Sequence, residues 1–209
     1  MNIESSYDRW SVIYDTNRNR TRDLDAQVTR TRFGASRFNQ VLELGCGTGK
    51  NTSLLAEVAE AVHAFDFSEG MLTRAQARVS APNVVFQRLD LSRIPWPVAE
   101  AAADIATFNL VLEHLETLGP IFAEAARCLV PGGVLYVSEL HPFRQYEGTQ
   151  ARFEDEAGNE VKVAAYTHHV SEFVEAGRRA GLRLERLNEW WHEEDGGRPP
   201  RLLTLEFVR

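Results

Sequence analysis

From Gln40 onward the chain alternates two hydrophobic rhythms. Short apolar runs near 40–45, 62–66, 84–88, 103–108 and 134–139 have the length and continuity of buried strands. Stretches near 50–60, 69–79, 117–129 and 170–180 instead carry apolar residues at helical spacing, as in Phe173, Val174, Ala176 and Gly177, with Gly181 as a natural stop. Strands alternating with helices predict an α/β fold with a doubly wound parallel sheet. Two later strand-like stretches, Leu182 to Trp190 and Leu202 to Val208, flank the turn-rich segment Asp195 to Pro200, read as a flexible loop.

Two regions lie outside this alternation. Residues 1–37 precede the first strand and are expected to form a helical cap, in which Tyr7 and Tyr14, seven apart, share one face. Segment 140–169 follows the fifth strand, and Arg152 to Val163 has the pattern of a hairpin turning at Gly158-Asn159. Ligands of such sheets bind outside the carboxyl ends of the strands, so an insertion there is expected to overhang the substrate.

The densest chemical signal is Val41-Leu-Glu43-Leu-Gly45-Cys46-Gly47-Thr-Gly49-Lys50-Asn51. A strand turning straight into a helix needs residues that tolerate positive φ and let a ligand approach the backbone. Unpaired N–H groups at the start of the next helix then favour an anion. A dinucleotide pyrophosphate and the carboxylate of an S-adenosylmethionine both qualify. Spacing separates them: the third glycine of G-x-G-x-x-G would fall at Lys50, so the loop departs from the dehydrogenase form.

Further landmarks follow in order. Val62 to Ser68 ends a strand in an acid, Asp66. Val84 to Asp90-Leu91 repeats the arrangement, Ala103 to Asn109 forms a fourth run, and Leu129-Val-Pro-Gly-Gly-Val-Leu135 turns into a fifth. Together with Glu43 to Gly49 this order resembles the class I S-adenosylmethionine-dependent methyltransferases of small-molecule type, over about half the chain. The resemblance implies one domain spanning 1–209. Its sheet would be seven-stranded and mostly parallel, closed by an antiparallel C-terminal hairpin and covered by a 1–37 lid. It implies S-adenosylmethionine as cofactor, with S-adenosylhomocysteine as product. The positions that carry cofactor contacts over are Tyr14 of the lid, Glu43, Gly45, Cys46, Gly47 and Gly49 of the loop, and Asp66, Phe67 and Met71. Asp90, Leu91, Asn109 and His114 complete the set. Asp66 stands 17 positions beyond Gly49, where a carboxylate can accept from both ribose hydroxyls. Phe67 and Met71 can flank the adenine or pack in the core, and Asp90 with Leu91 can read the adenine edge. Leu110 to Leu115 resembles a family form in which a histidine lies near the transferred methyl. His114 also fits a structural role.

Methyl transfer from a sulfonium asks mainly for positioning and exclusion of water, and a base helps a hydroxyl acceptor. Candidates cluster after the fifth strand: Glu139, His141, Tyr146, His168 and His169. His141 leads for catalysis because it ends the strand and precedes Pro142, with His168 second. Trp190 and Trp191 can wall an aromatic substrate or pack on the sheet.

Composition narrows the partners. With 44% hydrophobic and 25% charged residues the 209-residue chain matches a soluble globular protein, and no apolar run approaches the roughly 20 residues of a membrane span. A cytoplasmic location is expected. Cys46 and Cys128 are far apart and no ligand spacing suggests a metal. Net charge is −7, but residues 1–40 hold seven arginines against five acids, about +2, leaving about −9 elsewhere. Solvated helix faces with pairs such as Arg22 with Asp25 explain that excess better than nucleic-acid binding. Amino-methyltransferases of DNA bases carry an N-P-P-Y-like motif that is missing after Asn109, and Glu113 with Glu116 does not reproduce the two-glutamate loop of protein-arginine methyltransferases. The reading is therefore transfer to an oxygen or nitrogen, less readily carbon, of a small organic molecule. Its alternatives are an inactive cofactor-binding partner protein and a nicotinamide oxidoreductase. Sequence leaves the oligomeric state open.

Overall fold

The computed structural model of the chain describes Tyr7, Asp8, Trp10, Ser11, Tyr14 and residues 19–154 and 160–209. Its centre is a seven-stranded sheet in the order β3-β2-β1-β4-β5-β9-β8. The strands are β1 (Phe38–Leu44), β2 (Ala59–Asp66), β3 (Val84–Arg88), β4 (Ala103–Asn109), β5 (Leu129–Leu140), β8 (Arg183–Trp190) and β9 (Leu202–Val208). The first five are parallel, and β9 pairs antiparallel with both β5 and β8. The expected doubly wound sheet with an antiparallel C-terminal hairpin is what the chain forms.

Side-chain alternation divides the core in two. Leu42 and Leu44 of β1 and Ala106 and Phe108 of β4 face one side with Phe122 of α4 (Gly119–Cys128) and Phe173 of α6 (Val170–Arg179). Val41 and Ile105 face the other. There they meet Phe33 of α1 (Arg20–Phe33), Leu55 of α2 (Thr52–Val58) and Leu72 of α3 (Glu69–Arg78). Helix α1 buries Leu24, Asp25, Val28, Thr29 and Phe33, one stripe at helical spacing, and Asn19 caps its start by accepting from the Thr21 and Arg22 N–H groups. Arg32 on its flank makes a bidentate pair with Glu206 of β9 at 2.7 and 2.8 Å.

Several boundaries differ from expectation. Strand β2 begins three residues early, and β5 begins at Leu129 across the Pro131-Gly132-Gly133 turn, with a register shift between Ala103 and Ile105 on its neighbour. A short α5 (Pro142–Tyr146) follows β5. The expected hairpin exists as β6 (Arg152–Glu154) and β7 (Glu160–Lys162), paired antiparallel. Its turn at Gly158-Asn159 lies outside the described residues. Segment 195–200, expected to be loose, is anchored at its start, because Asp195 is buried and pairs with Arg144 and Arg201. Among the described residues no helix is long and apolar enough to cross a membrane.

Gly177 of α6 faces the fully buried Phe207, whose Cε1 would stand 2.3 Å from an added Cβ. Helix propensity alone would make Gly177→Ala stabilising by about 1 kcal/mol. Overpacking should win, for a net loss of about 1–2 kcal/mol and a lower Tm by thermal melt. A rise in Tm would show that the ring yields.

Candidate functional site

The strand order reverses between β1 and β4, and a cavity of about 330 Å³ opens there, at the carboxyl ends of the strands. Its wall includes Glu43, Gly45, Cys46, Gly47, Asp66, Phe67, Asp90, Leu91, Asn109, His114 and Tyr14. Eleven of the thirteen positions expected at a cofactor are thus gathered in one place. Gly49 and Met71 are not among them. Gly49 packs instead against Ala75 of α3, with an added Cβ only 3.2 Å from its Cα, and Met71 is buried in that helix with its N–H donated to Ser68.

The glycine loop is held from below. Gly45 and Cys46 N–H both donate to the Phe65 carbonyl, and Gly47 N–H donates to Asp66 Oδ2 at 2.8 Å. Gly45 has φ +89°, and a Cβ there would sit 2.2 Å from Val111, so only glycine fits. These amides therefore face inward, and α2 is seven residues long, starting only at Thr52. The cavity wall also carries two side-chain cations, Arg22 and Lys50. The Arg22 guanidinium lies 3.9 Å from the centre of the Tyr14 ring, and Lys50 bonds Asp23 at 2.7 Å.

Buried acids shape the floor. Asp66 also accepts from Ser68 N–H at 2.9 Å. Burial raises it to about 6, against the pull of these N–H groups. Glu43, bonded to Thr52, and Glu139, which accepts from Val111 and Leu112 N–H, are both pushed by burial to about 8. Asp25 is no surface partner of Arg22. Its carboxylate is buried, raised by desolvation, and accepts from Asn51 and Asn109 Nδ2 and from the Ser138 hydroxyl.

The roof comes from the N-terminal segment. Tyr7 and Tyr14 line the cavity, and Tyr7 packs on Phe67, Trp10 and His114 at ring distances of 5.7, 5.5 and 5.1 Å. Trp10 is buried against Val163, just beyond the β6–β7 hairpin.

A family model for a methyltransferase domain matches residues 42–137. An uncharacterized methyltransferase of Emericella nidulans is 32% identical, over 88% of this chain and 76% of its own length. The chain belongs to the class I S-adenosylmethionine-dependent methyltransferases. Malonyl-[acyl-carrier protein] O-methyltransferase of Serratia marcescens is 32% identical over 66% of the chain, which spans about half of that enzyme, 52%. The solved DhpI-SAM-HEP complex shares the fold at a TM-score of 0.76, with 23% identity over 99% of this chain and 96% of the other.

Both histidines expected to be catalytic in this methyltransferase lie off the cavity wall. His141 caps α5: its Nδ1 accepts from Phe143 N–H at 3.2 Å and its Nε2 donates to Glu189 at 2.9 Å, while burial lowers its pKa and keeps the ring neutral. His168 is buried and donates to the Leu115 carbonyl at 2.8 Å. Tyr146 and His169 bond each other at the surface. Trp190 donates to Thr204, and Trp191 is half exposed. Neither tryptophan is in the wall. Tyr7, Arg22, Asp25, Lys50 and Asn51 are wall residues that sequence reasoning missed. The recurrence of Tyr7 and Tyr14 was the one available signal.

Two outcomes follow for the methyltransferase. His141→Ala should cost about 1–2 kcal/mol of stability by denaturant titration and leave affinity for S-adenosylhomocysteine unchanged. A selective loss of affinity would return His141 to the site. For Glu43 and Glu139, folded values near 8 exceed the ordinary 4.5, so the native state holds more protons between those values and stability falls as pH rises across that window. Glu139→Gln keeps an oxygen for Val111 and Leu112 and should flatten the fall of Tm between about pH 6 and pH 8. An unchanged slope would place its origin elsewhere.

Proposed function

We propose that this chain is a cytoplasmic methyltransferase that transfers the methyl group of S-adenosylmethionine to an oxygen or nitrogen of a small organic molecule. The carrying observation is the roofed cavity at the strand reversal, whose 330 Å³ lies at the lower end of the roughly 300–1,000 Å³ of small-molecule sites. A macromolecular acceptor would call for an open face beside the donor, where this chain has Tyr7, Tyr14 and the segment around Val163. The Serratia relative is by name an O-methyltransferase, which agrees with an oxygen acceptor. Cys46 and Cys128 stand as buried free thiols, which suits a reducing compartment.

The wall fits the donor on its own chemistry. Asn109 Oδ1 is buried without a hydrogen-bond partner, and the Cβ direction of Gly47 is open. Asp66 accepts Gly47 N–H at Oδ2 and Ser68 N–H at Oδ1, and its carboxylate retains lone pairs for the ribose hydroxyls. Phe67, Leu89 and Leu91 offer apolar surface for the adenine, with Asp90 at its edge. Arg22 and Lys50 answer the carboxylate of the amino-acid half, and Asn109 Oδ1 with Asp25 answers its ammonium. When bound, the donor supplies an electrophilic methyl carbon for in-line displacement. The residues of the chain bind, orient and exclude water.

Asp66→Ala should weaken binding of S-adenosylhomocysteine by about 1–3 kcal/mol in calorimetry. In the wild type, affinity should fall as pH drops through about 6, because protonation of Asp66 removes an acceptor from the ribose hydroxyls. Asp66→Ala affinity equal to wild type would refute this seating of the donor, and turnover on protein but not on small molecules would refute the acceptor class.

A further inference from the structure

We propose that Tyr7 and His114 form a proton relay serving an acceptor that brings its own hydroxyl proton, a deepening that rests on the methyl-transfer reading above. Both residues line the cavity. Their side chains meet directly, with the Tyr7 hydroxyl 2.6 Å from His114 Nε2.

The direction of that bond is fixed by the far side of the ring. His114 Nδ1 lies 3.1 Å from the Ala164 carbonyl, which can only accept, so Nδ1 carries the hydrogen and Nε2 of the neutral ring presents a lone pair. Tyr7 therefore donates to His114. The oxygen of Tyr7 keeps its own lone pairs for a donor in the cavity, and an acceptor hydroxyl is such a donor. Burial holds the Tyr7 phenol far above its ordinary pKa, so a tyrosinate is no resting place for the charge and the proton must continue to the imidazole. Glu113 Oε1, 3.7 Å from His114 Nε2, stands where an imidazolium would form.

The step balances. As the bond from acceptor oxygen to methyl carbon forms and the carbon–sulfur bond breaks, the acceptor O–H bond breaks and its proton joins the Tyr7 oxygen. The proton of Tyr7 moves to His114 Nε2. The positive charge lost at sulfur reappears on the imidazolium beside Glu113. A carboxylate acceptor brings no proton to pass on, and an amine can shed its proton to solvent after transfer, so the relay selects alcohols, phenols or enols.

The test compares two ligands that differ at one group. Sinefungin carries an amine-bearing carbon where the donor has its methylated sulfur, and S-adenosylhomocysteine has nothing beyond the sulfur. Wild-type protein should prefer sinefungin by on the order of tenfold in calorimetry, through donation to the Tyr7 oxygen. Tyr7→Phe keeps the ring and its packing, and should abolish that preference while leaving S-adenosylhomocysteine affinity within about twofold. With a panel of phenols and aliphatic alcohols, His114→Asn should slow formation of S-adenosylhomocysteine by on the order of 10²-fold in kcat. A preference retained in Tyr7→Phe, or equal loss of both ligands as a packing role requires, would overturn the relay. Failure of wild-type protein to bind S-adenosylhomocysteine would remove the donor reading and the relay with it.

Discussion

The carboxylate of Asp25 joins four segments at a single point. It projects from α1 and receives Asn51 from the loop after β1, Asn109 from the end of β4 and Ser138 from β5, at 2.8, 2.7 and 2.6 Å. Parallel strands are linked only by long crossovers, so their carboxyl ends lack the mutual restraint that a tight hairpin gives. A polar clasp takes that place. Burial disfavours the charge of Asp25, and the three donors that offset this penalty are the groups that must be held still to form a wall. Asp66 does the same between the glycine loop and the start of α3, and Glu139 between β5 and the 3₁₀ turn Leu112–His114.

Crowding these acids together sorts their charges. Glu43 is raised by burial and further by Asp25 and Asp66, and Glu139 by burial and by Glu113 and Asp25. Near pH 7 these two lie mostly protonated and act as neutral hydrogen-bonding groups. Asp66, about two units lower, stays ionised. Among these three, charge is thus retained at Asp66, which lines the cavity beside Phe67 and in the proposed function meets the sugar. The ionised Asp66 on that floor also favours a ligand with a sulfonium over a neutral one, since attraction in a partly enclosed site is weakly screened.

Much of this was legible in the chain. Strands buried on both faces read as unbroken apolar runs, and the glycine loop is spelled out because Gly45 has no alternative beside Val111. What was hidden depends on distance in sequence. Asp25 looks like one more charge on a polar helix until Asn51, Asn109 and Ser138 are brought to it. His141 and His168 were placed correctly along the chain and wrongly in space, because proximity to a strand end does not say whether a ring turns into the crevice or back onto a cap. Tyr7 and His114 are 107 residues apart, beyond any local period. Gly49 and Met71 lie off the wall for a different reason: helix α3 packs so closely on the loop that Gly49 is taken up by that contact, and Met71 is buried within the helix itself.

The roof follows a different rule from the floor. Trp10 and Val163, with Tyr7, Tyr14, Ala151 and Val161 around them, form an apolar cluster separate from both faces of the sheet. A ligand as large as a nucleoside must pass some part of this wall, and the cost of passage is set by what has to separate. Parting the two sheet cores would break the fold, whereas parting this satellite exposes a few aromatic rings and leaves every strand pairing intact. The aromatic identity of Tyr7, Trp10 and Tyr14 suits that position, since large rings bury enough apolar surface to exclude water while their polar tips tolerate a partly wet setting. Floor and roof thus divide the work: hydrogen-bonded acids fix the geometry, and a small aromatic cluster covers it.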